Sequence, residues 1–457
     1  MDCVVKNGTV VTAEEIVDAD VGIQGDKVVA IASGLQSDKV IDAKGHYVFP
    51  GFVDAHVHLQ LKIGDIASSD DFATGTIAAA CGGTTTVMDF TSNCRGEDLV
   101  EGAQARREEA EGQVAVDYAL HLTLADAAEK TLAQLPVLAA KGYASAKLYT
   151  TYEGLRLGDD ELLRLLAATR DCGILPMVHT ENHHAIAYLT AELLRQGHTA
   201  PKYHPHSRPP LVEAEAANRV AVLAQLVEAP VYIAHLTCQE TLQAVQAARL
   251  RGQTIFAETC PQYLFLSQDD YERPGFEGAK FVLSPPLRHK VNWEVLWQAL
   301  AEGQLQVVST DHCPWYYETH KTRGRTSFAQ IPNGAPGIET RVPLLFSEGV
   351  GRGHISLQRF VDLCATGPAR LFGLYPRKGT IAVGSDADLV IYDPNRQVTL
   401  SHKTLHQRVD YCPFEGHTLR GYPRVVLLRG QVIVEDGDFV GHAGQGQFIP
   451  GKAYAFR

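Results

Sequence analysis

No two of the nine cysteines are spaced C-x-x-C, and their number is odd. That removes a structural zinc knuckle and fits reduced thiols in a cytoplasm better than a secreted disulfide framework. No apolar run approaches the roughly 18 residues of a membrane span. The first residues, MDCVVKNGTV, carry no basic stretch ahead of a long apolar one. They read as a strand, so no signal peptide is expected. Low-complexity segments are missing as well. Positive charge is scarce: 41 Lys and Arg face 53 Asp and Glu, for a net charge of −12. Nucleic acid and anionic membranes both require basic patches, so neither is an expected partner.

What is present is a globular chain. Its 457 residues are 45% hydrophobic and 21% charged, enough for a substantial core. At roughly 150 residues per domain the length suggests about three units, although a single α/β barrel absorbs well over 250 residues.

Both ends read as β-structure. In VVKNGTVVT, Asn7 and Gly8 separate two β-branched runs, a hairpin signal. VGIQGDKVVAIA repeats the pattern around Gly25 and Asp26, and VVLLRGQVIVEDGDFVG does so at Gly430 and Gly437. GSDADLVIYDP supplies another strand, expected to stop at Pro394. The middle alternates differently. LPMVH precedes AIAYLTAELLRQG, VYIAH precedes ETLQAVQAARLRG, and LQVVSTDH follows VNWEVLWQALAEG. Repeated β-then-α units argue for a parallel sheet, with enough units to close a barrel. The expected architecture is a (β/α)8 TIM-like barrel over residues 51–375. A small β-sandwich would be built from residues 1–50 and 376–457.

In FVDAHVH, His56 and His58 lie two apart, which on a strand puts both imidazoles on one face and Val57 on the other. The pattern recurs. Lys147 sits in ASAKLYTTY, His179 ends ILPMVH, His235 ends VYIAH, and Asp311 falls near the end of LQVVSTDH. Strand C-termini converge on one mouth of a barrel, where active sites lie. Imidazole and carboxylate suit Zn²⁺, with Mn²⁺ or Co²⁺ as substitutes. Four histidines and an aspartate exceed the needs of one catalytic zinc and suit a pair about 3.5–4 Å apart. Such a pair needs a bridging anion. Lys147 meets that need only if carbon dioxide adds to its neutral amine to make a carbamate.

PGFVDAHVH, ACGGTTTVMDF, SAKLYTTY, VHTEN, YHPHSRPPLVEAEA, YIAHLT, ETCPQYL, SPPLR, STDHCP and PNGAPGIETR span most of the chain. PARLFGLYPRKGTIAVGSDADLVIYDP extends the match toward the C-terminus. Together they resemble the hydantoinase and dihydropyrimidinase family of the amidohydrolase superfamily. SPPLR and PNGAPGIE separate this resemblance from dihydroorotases and allantoinases, which share the metal ligands. A complete ligand set argues against a non-catalytic scaffold relative.

The resemblance implies one metal on His56, His58, Asp311 and carbamylated Lys147, and a second on His179, His235 and the same carbamate, with a bridging hydroxide. It implies that Tyr152 polarises the substrate and that Ser284 and Asn333 hold the cyclic amide through backbone groups. It implies hydrolysis of the ring amide of a hydantoin or dihydropyrimidine to an N-carbamoyl amino acid, in a homotetramer or dimer. Asp311 would then serve as general base and general acid in turn, and Tyr152 as an oxyanion donor. Two departures stand out: Ala146 where a bulky residue such as Phe is expected, and VHTEN for the commoner VHAEN. Leu61, Ile63, Tyr149 and Leu155 are candidates for the apolar wall facing the exocyclic substituent.

Overall fold

A computed structural model describes residues 1–454. Eight parallel strands among them follow chain order around a barrel: Phe52–Asp54, Thr84–Phe90, Asp117–Thr123, Ser145–Tyr149, Leu175–His179, Val231–Ile233, Ile255–Thr259 and Val307–Val308. Side chains alternate in and out, as strand geometry requires. Val53, Met88, Ala119, Met177, Tyr232 and Val307 fill the interior, while Phe52, Val87, Leu120, Val178, Ile233 and Val308 pack under the helices.

No strand ladder joins the first barrel strand to the last; side chains and one bridge close that seam. Val57 and His312 form a single parallel bridge, and the His58 amide donates to the His312 carbonyl at 2.8 Å. The buried Asp54 carboxylate accepts from the Thr310 amide at 3.1 Å and its hydroxyl at 2.6 Å. Arg341, fully buried, donates from Nη1 to the carbonyls of Val53 and Val308, each at 2.9 Å. One guanidinium thus replaces ladder bonds that the two short strands do not make.

The chain ends do meet in two sheets. Seven strands run in the order Asp438–Phe439, Gln431–Glu435, Thr418–Leu428, Leu389–Thr399, Tyr47–Pro50, Thr9–Val11 and Ile16–Asp18. The join between ends is the antiparallel pairing of Leu389 with Pro50 through Tyr392 with Tyr47. The other four are Lys27–Ala32, Asp20–Gln24, Cys3–Lys6 and Val40–Asp42. Val5, Val10, Ile23, Val48, Leu389 and Leu427 share the core of this sandwich.

Hairpins form around Gly25 and Asp26, and at Gly430 and Gly437, as the turn residues suggest. Asn7 and Gly8 do not make one. Cys3–Lys6 pairs within the four-stranded sheet and Thr9–Val11 within the seven-stranded sheet, so the turn carries the chain between layers. Asn7 has φ 65° and donates to Asp42, while a Cβ on Gly8 would meet Val48 Cγ2 at 2.6 Å. Tertiary contacts, not pairing across the turn, select its geometry. Nor does Pro394 stop its strand. The ladder to Thr418–Leu428 breaks between Asp393 and Gln397 and then resumes, and Asp393 Oδ1 takes the amides of Asn395 and Arg396 across the gap. A missing amide is tolerated at such an irregularity.

After the sandwich the chain crosses the N-terminal ends of the barrel strands. Backbone hydrogen bonds join Gly446 to Val114, Ile449 to Tyr118, Gly451 to Gly142 and Tyr454 to Gly173. Ile449 is buried against the barrel interior. This end is covered, which leaves the C-terminal mouth as the open one.

Arg341→Met should lower stability by about 3–5 kcal/mol, because it leaves a buried carboxylate and two seam carbonyls without their cation. Chemical denaturation measures this; an unchanged midpoint would show that the seam does not depend on Arg341.

Candidate metal centre and substrate pocket

The mouth gathers the candidate ligands and substrate contacts named from the sequence. Lys147 is the third residue of its strand and points inward. Ala146, on the opposite face, packs beneath the helices, so the exchange of a bulky residue for alanine there does not reach the site. His179 ends its strand. His56, His58, His235 and Asp311 lie two to four residues past the ends of theirs, on backbone that leaves the sheet. Tyr152, His235 and Asp311 have φ of 72°, 37° and 51°. Left-handed backbone at non-glycine residues is costly and concentrates at functional sites.

Ligand atoms of His56, His58 and Asp311 all lie within 4.8 Å of one another. Asp311 Oδ1 is 3.2 Å from His56 Nε2 and 3.1 Å from His58 Nε2. Lys147 Nζ is 3.3 Å from His56 Nε2, and no carboxylate among the described residues forms an ion pair with it. His179 and His235 make a second pair, ring centroids 4.4 Å apart, and His235 lies 5.5 Å from His56 by the same measure.

Two buried carboxylates orient these rings. Glu258 Oε1 is 2.5 Å from His56 Nδ1. Its oxygens also take the Tyr232 hydroxyl at 2.9 Å, the His235 amide at 3.2 Å, and the Ser309 hydroxyl. Glu181 Oε2 is 2.7 Å from His179 Nε2 and also receives Arg208 at 2.7 Å and Ser284 at 2.8 Å. A carboxylate on one ring nitrogen places the proton there and frees the other as a lone pair. His56 therefore offers Nε2 and His179 offers Nδ1. His235 Nδ1 is buried with no hydrogen-bond partner among the described residues.

Electrostatics agrees with neutral imidazoles at His56 and His235. Burial, then the nearby Lys147 charge, pushes the His56 pKa well down. His235 is pushed well down too, by burial, then by His179 and Lys147. Burial lowers Lys147 to about 8, against the pull of Asp311 and Glu258. For Asp311, burial raises the pKa, but His56, His58 and Lys147 together outweigh it and hold the carboxyl below its usual value. Burial raises Tyr152, with Arg208 opposing, so its hydroxyl stays a donor at neutral pH.

A cavity of about 880 Å³ opens over these ligands. Tyr152, Ser284 and Asn333 line it, as do Leu61, Ile63, Tyr149 and Leu155. Ser284 Oγ is held by Arg208 at 2.7 Å, and the Asn333 carbonyl accepts from Trp315 Nε1 at 2.8 Å. Sequence reasoning did not single out Glu258 or Glu181. The signals were present: Glu258 is an acid at an inward position of IFAET, and Glu181 follows His179 by two residues.

A parallel (β/α)8 barrel with His-x-His after its first strand, a strand lysine, two further histidines and a final aspartate defines a class of metal-dependent hydrolase. The chain belongs to the amidohydrolase family, whose model matches residues 47–433. It is 47% identical to a D-hydantoinase of Rhizobium radiobacter, over 99% of this chain and 100% of that protein. A D-hydantoinase of Ralstonia pickettii is 46% identical over the same shares. The crystal structure of a dihydropyrimidinase from Brevibacillus agri superposes with a TM-score of 0.98 at 46% identity, covering 100% of both chains.

Glu258→Gln should weaken metal binding by about 10–100-fold, the usual cost of losing a carboxylate behind a ligating histidine. Chelator competition on folded protein measures it; unchanged affinity would remove Glu258 from the metal site.

Proposed function

We propose that the protein is a binuclear zinc cyclic amidase that opens the ring amide of 5-substituted hydantoins or 5,6-dihydropyrimidines. The observation that carries this reading is the convergence of His56, His58, Lys147, His179, His235 and Asp311 beneath a cavity lined by Tyr152, Ser284 and Asn333. The names of the relatives support the substrate class, and the apolar residues at the cavity mouth suit a bulky ring substituent.

His56, His58 and Asp311 would hold one metal, His179 and His235 the other, with Lys147 bridging as its carbamate. The freed lone pairs of His56 and His179 fit that donor set, as do His235 Nδ1 and Lys147, which among the described residues have no hydrogen-bond partner and no carboxylate ion pair respectively. Zn²⁺ is the proposed ion, with Mn²⁺ or Co²⁺ as substitutes; such a pair lowers the pKa of water toward neutrality and so supplies the nucleophile. Asp311 takes a proton from the attacking water and returns it to the ring nitrogen as the C–N bond breaks. The Tyr152 hydroxyl donates to the former carbonyl oxygen as negative charge develops on it. Backbone groups of Ser284 and Asn333 hold the ring. The new carboxylate and the freed nitrogen leave as an N-carbamoyl amino acid or β-amino acid.

We further propose a catalytic unit over residues 51–375 flanked by one sandwich from 1–50 and 376–457, and a cytoplasmic homotetramer or dimer. Among the described residues no helix is long and apolar enough to cross a membrane.

Turnover of dihydrouracil, both enantiomers of phenylhydantoin, and allantoin tests the substrate class. Ring opening confined to allantoin would replace this reading with a cyclic ureide hydrolase. Metal analysis should approach two equivalents per chain; one equivalent at most in fully active protein would overturn the binuclear site.

Lys147→Ala should lose metal and activity together, with partial rescue by short carboxylic acids that present the same two oxygens. Substitution of the exposed His289 by alanine should change neither. Full activity of Lys147→Ala without added acid would show that the bridge is not built from this residue.

Tyr152→Phe should lower kcat on the order of 10²–10³-fold with little change in KM, as expected for one lost oxyanion donor. Steady-state kinetics decides; a rise in KM alone would make Tyr152 a binding residue.

A further inference from the structure

Lys321 is 0% exposed, and among the described residues no carboxylate forms an ion pair with it. Its ammonium donates to three backbone carbonyls: Val282 at 2.6 Å, Pro332 at 2.7 Å and Gly334 at 2.7 Å. An ammonium has three donors and no acceptor, so the match is complete. Burying a charge is expensive, and a methionine would fill the same space at lower cost. The position therefore answers a need for three donors at one point.

The carbonyls come from two segments. Val282 lies two residues before Ser284, and Pro332 and Gly334 flank Asn333. Ser284, Pro332, Asn333 and Gly334 all line the cavity. Other bonds fix each segment. His204 Nε2 is 2.8 Å from the Leu283 carbonyl, and Trp315 Nε1 donates to the Asn333 carbonyl at 2.8 Å. The Gly334 amide reaches the Val282 carbonyl at 3.1 Å. Gly334 has φ 133°, and a Cβ there would meet the Cys313 carbonyl oxygen at 2.4 Å, so this segment has little freedom to shift.

We propose that Lys321 is a positioning residue for the substrate: its ammonium sets the spacing between the Ser284 and Asn333 segments and thereby the fit of a cyclic amide between them. This rests on the cyclic amidase reading. Lys321 touches neither the metal ligands nor the reacting atoms, so it acts on binding and orientation.

Lys321→Met and Lys321→Gln test this in the metal-loaded enzyme. Metal content should be retained and kcat should stay within about threefold. KM should rise about tenfold for Met and less for Gln, which keeps an NH₂ donor; a KM effect at constant kcat marks lost ground-state binding. Amide hydrogen exchange without substrate should quicken over residues 282–287 and 332–336 but not over 56–58. A folded, metal-loaded Lys321→Met with unchanged KM and exchange overturns the proposal. Failure of both variants to fold also overturns it, by making Lys321 a folding residue. If the wild-type opens no cyclic amide, the functional reading fails instead, and hydrogen exchange alone decides whether the clamp exists.

Discussion

Glu258 sits beneath the candidate metal ligands, has no Lys or Arg ion pair among the described residues, and collects donors from three barrel strands and the residues that follow them. His56 follows the first strand, Tyr232 belongs to the sixth, His235 follows it, and Ser309 follows the eighth. A buried carboxylate is tolerable only when its oxygens are satisfied. These four donors satisfy them and fix the strand ends to one another. The same bonds choose the His56 tautomer and locate the His235 backbone. The site and the closure of the barrel near it are thus one hydrogen-bonded unit.

Around that unit the backbone is held in conformations it would not otherwise adopt. Left-handed φ at Tyr152, His235 and Asp311 costs on the order of 1–3 kcal/mol at each residue. The parallel sheet and its packed interior supply the restraint. Glu181 plays a matching part on the other side, joining His179 to Arg208 and Ser284, so a candidate metal ligand and a cavity residue share one carboxylate. Arg341 and Asp54 close the seam further down. Each device is a buried polar group that bonds to two or more segments at once, and shared partners of this kind make the mouth rigid, although Glu181 Oε1 and Arg341 Nε have no hydrogen-bond partner among the described residues.

Much of this was legible along the chain. The apolar runs ending in His179 and His235, the His-x-His after FVDA, and the turn residues at Gly25, Gly430 and Gly437 point to the elements observed. Asn7 and Gly8 mislead because local turn chemistry does not say which sheet each flanking strand will join, and Pro394 misleads because the ladder absorbs its missing amide at the irregularity between Asp393 and Gln397. His121 shows the limit of reading ligands from strands. It too lies inward near the end of a strand, yet Ser145 and the Ala55 carbonyl occupy both its nitrogens. His312, adjacent to Asp311, is likewise taken, by Asp70 and the Gly337 amide.

Sequence alone determined the alternation of strand and helix, the β-rich ends and the supply of metal-ligating side chains, because side-chain periodicity and residue chemistry are local properties. The tertiary structure decided which histidines keep a free lone pair, because that depends on the carboxylates and carbonyls that other strands bring to their rings. It also decided that Lys321, a lysine with no distinguishing local pattern, lies buried among three carbonyls. Residues 282, 332 and 334 meet it only after the barrel closes, and contacts over such separations leave no mark on local sequence.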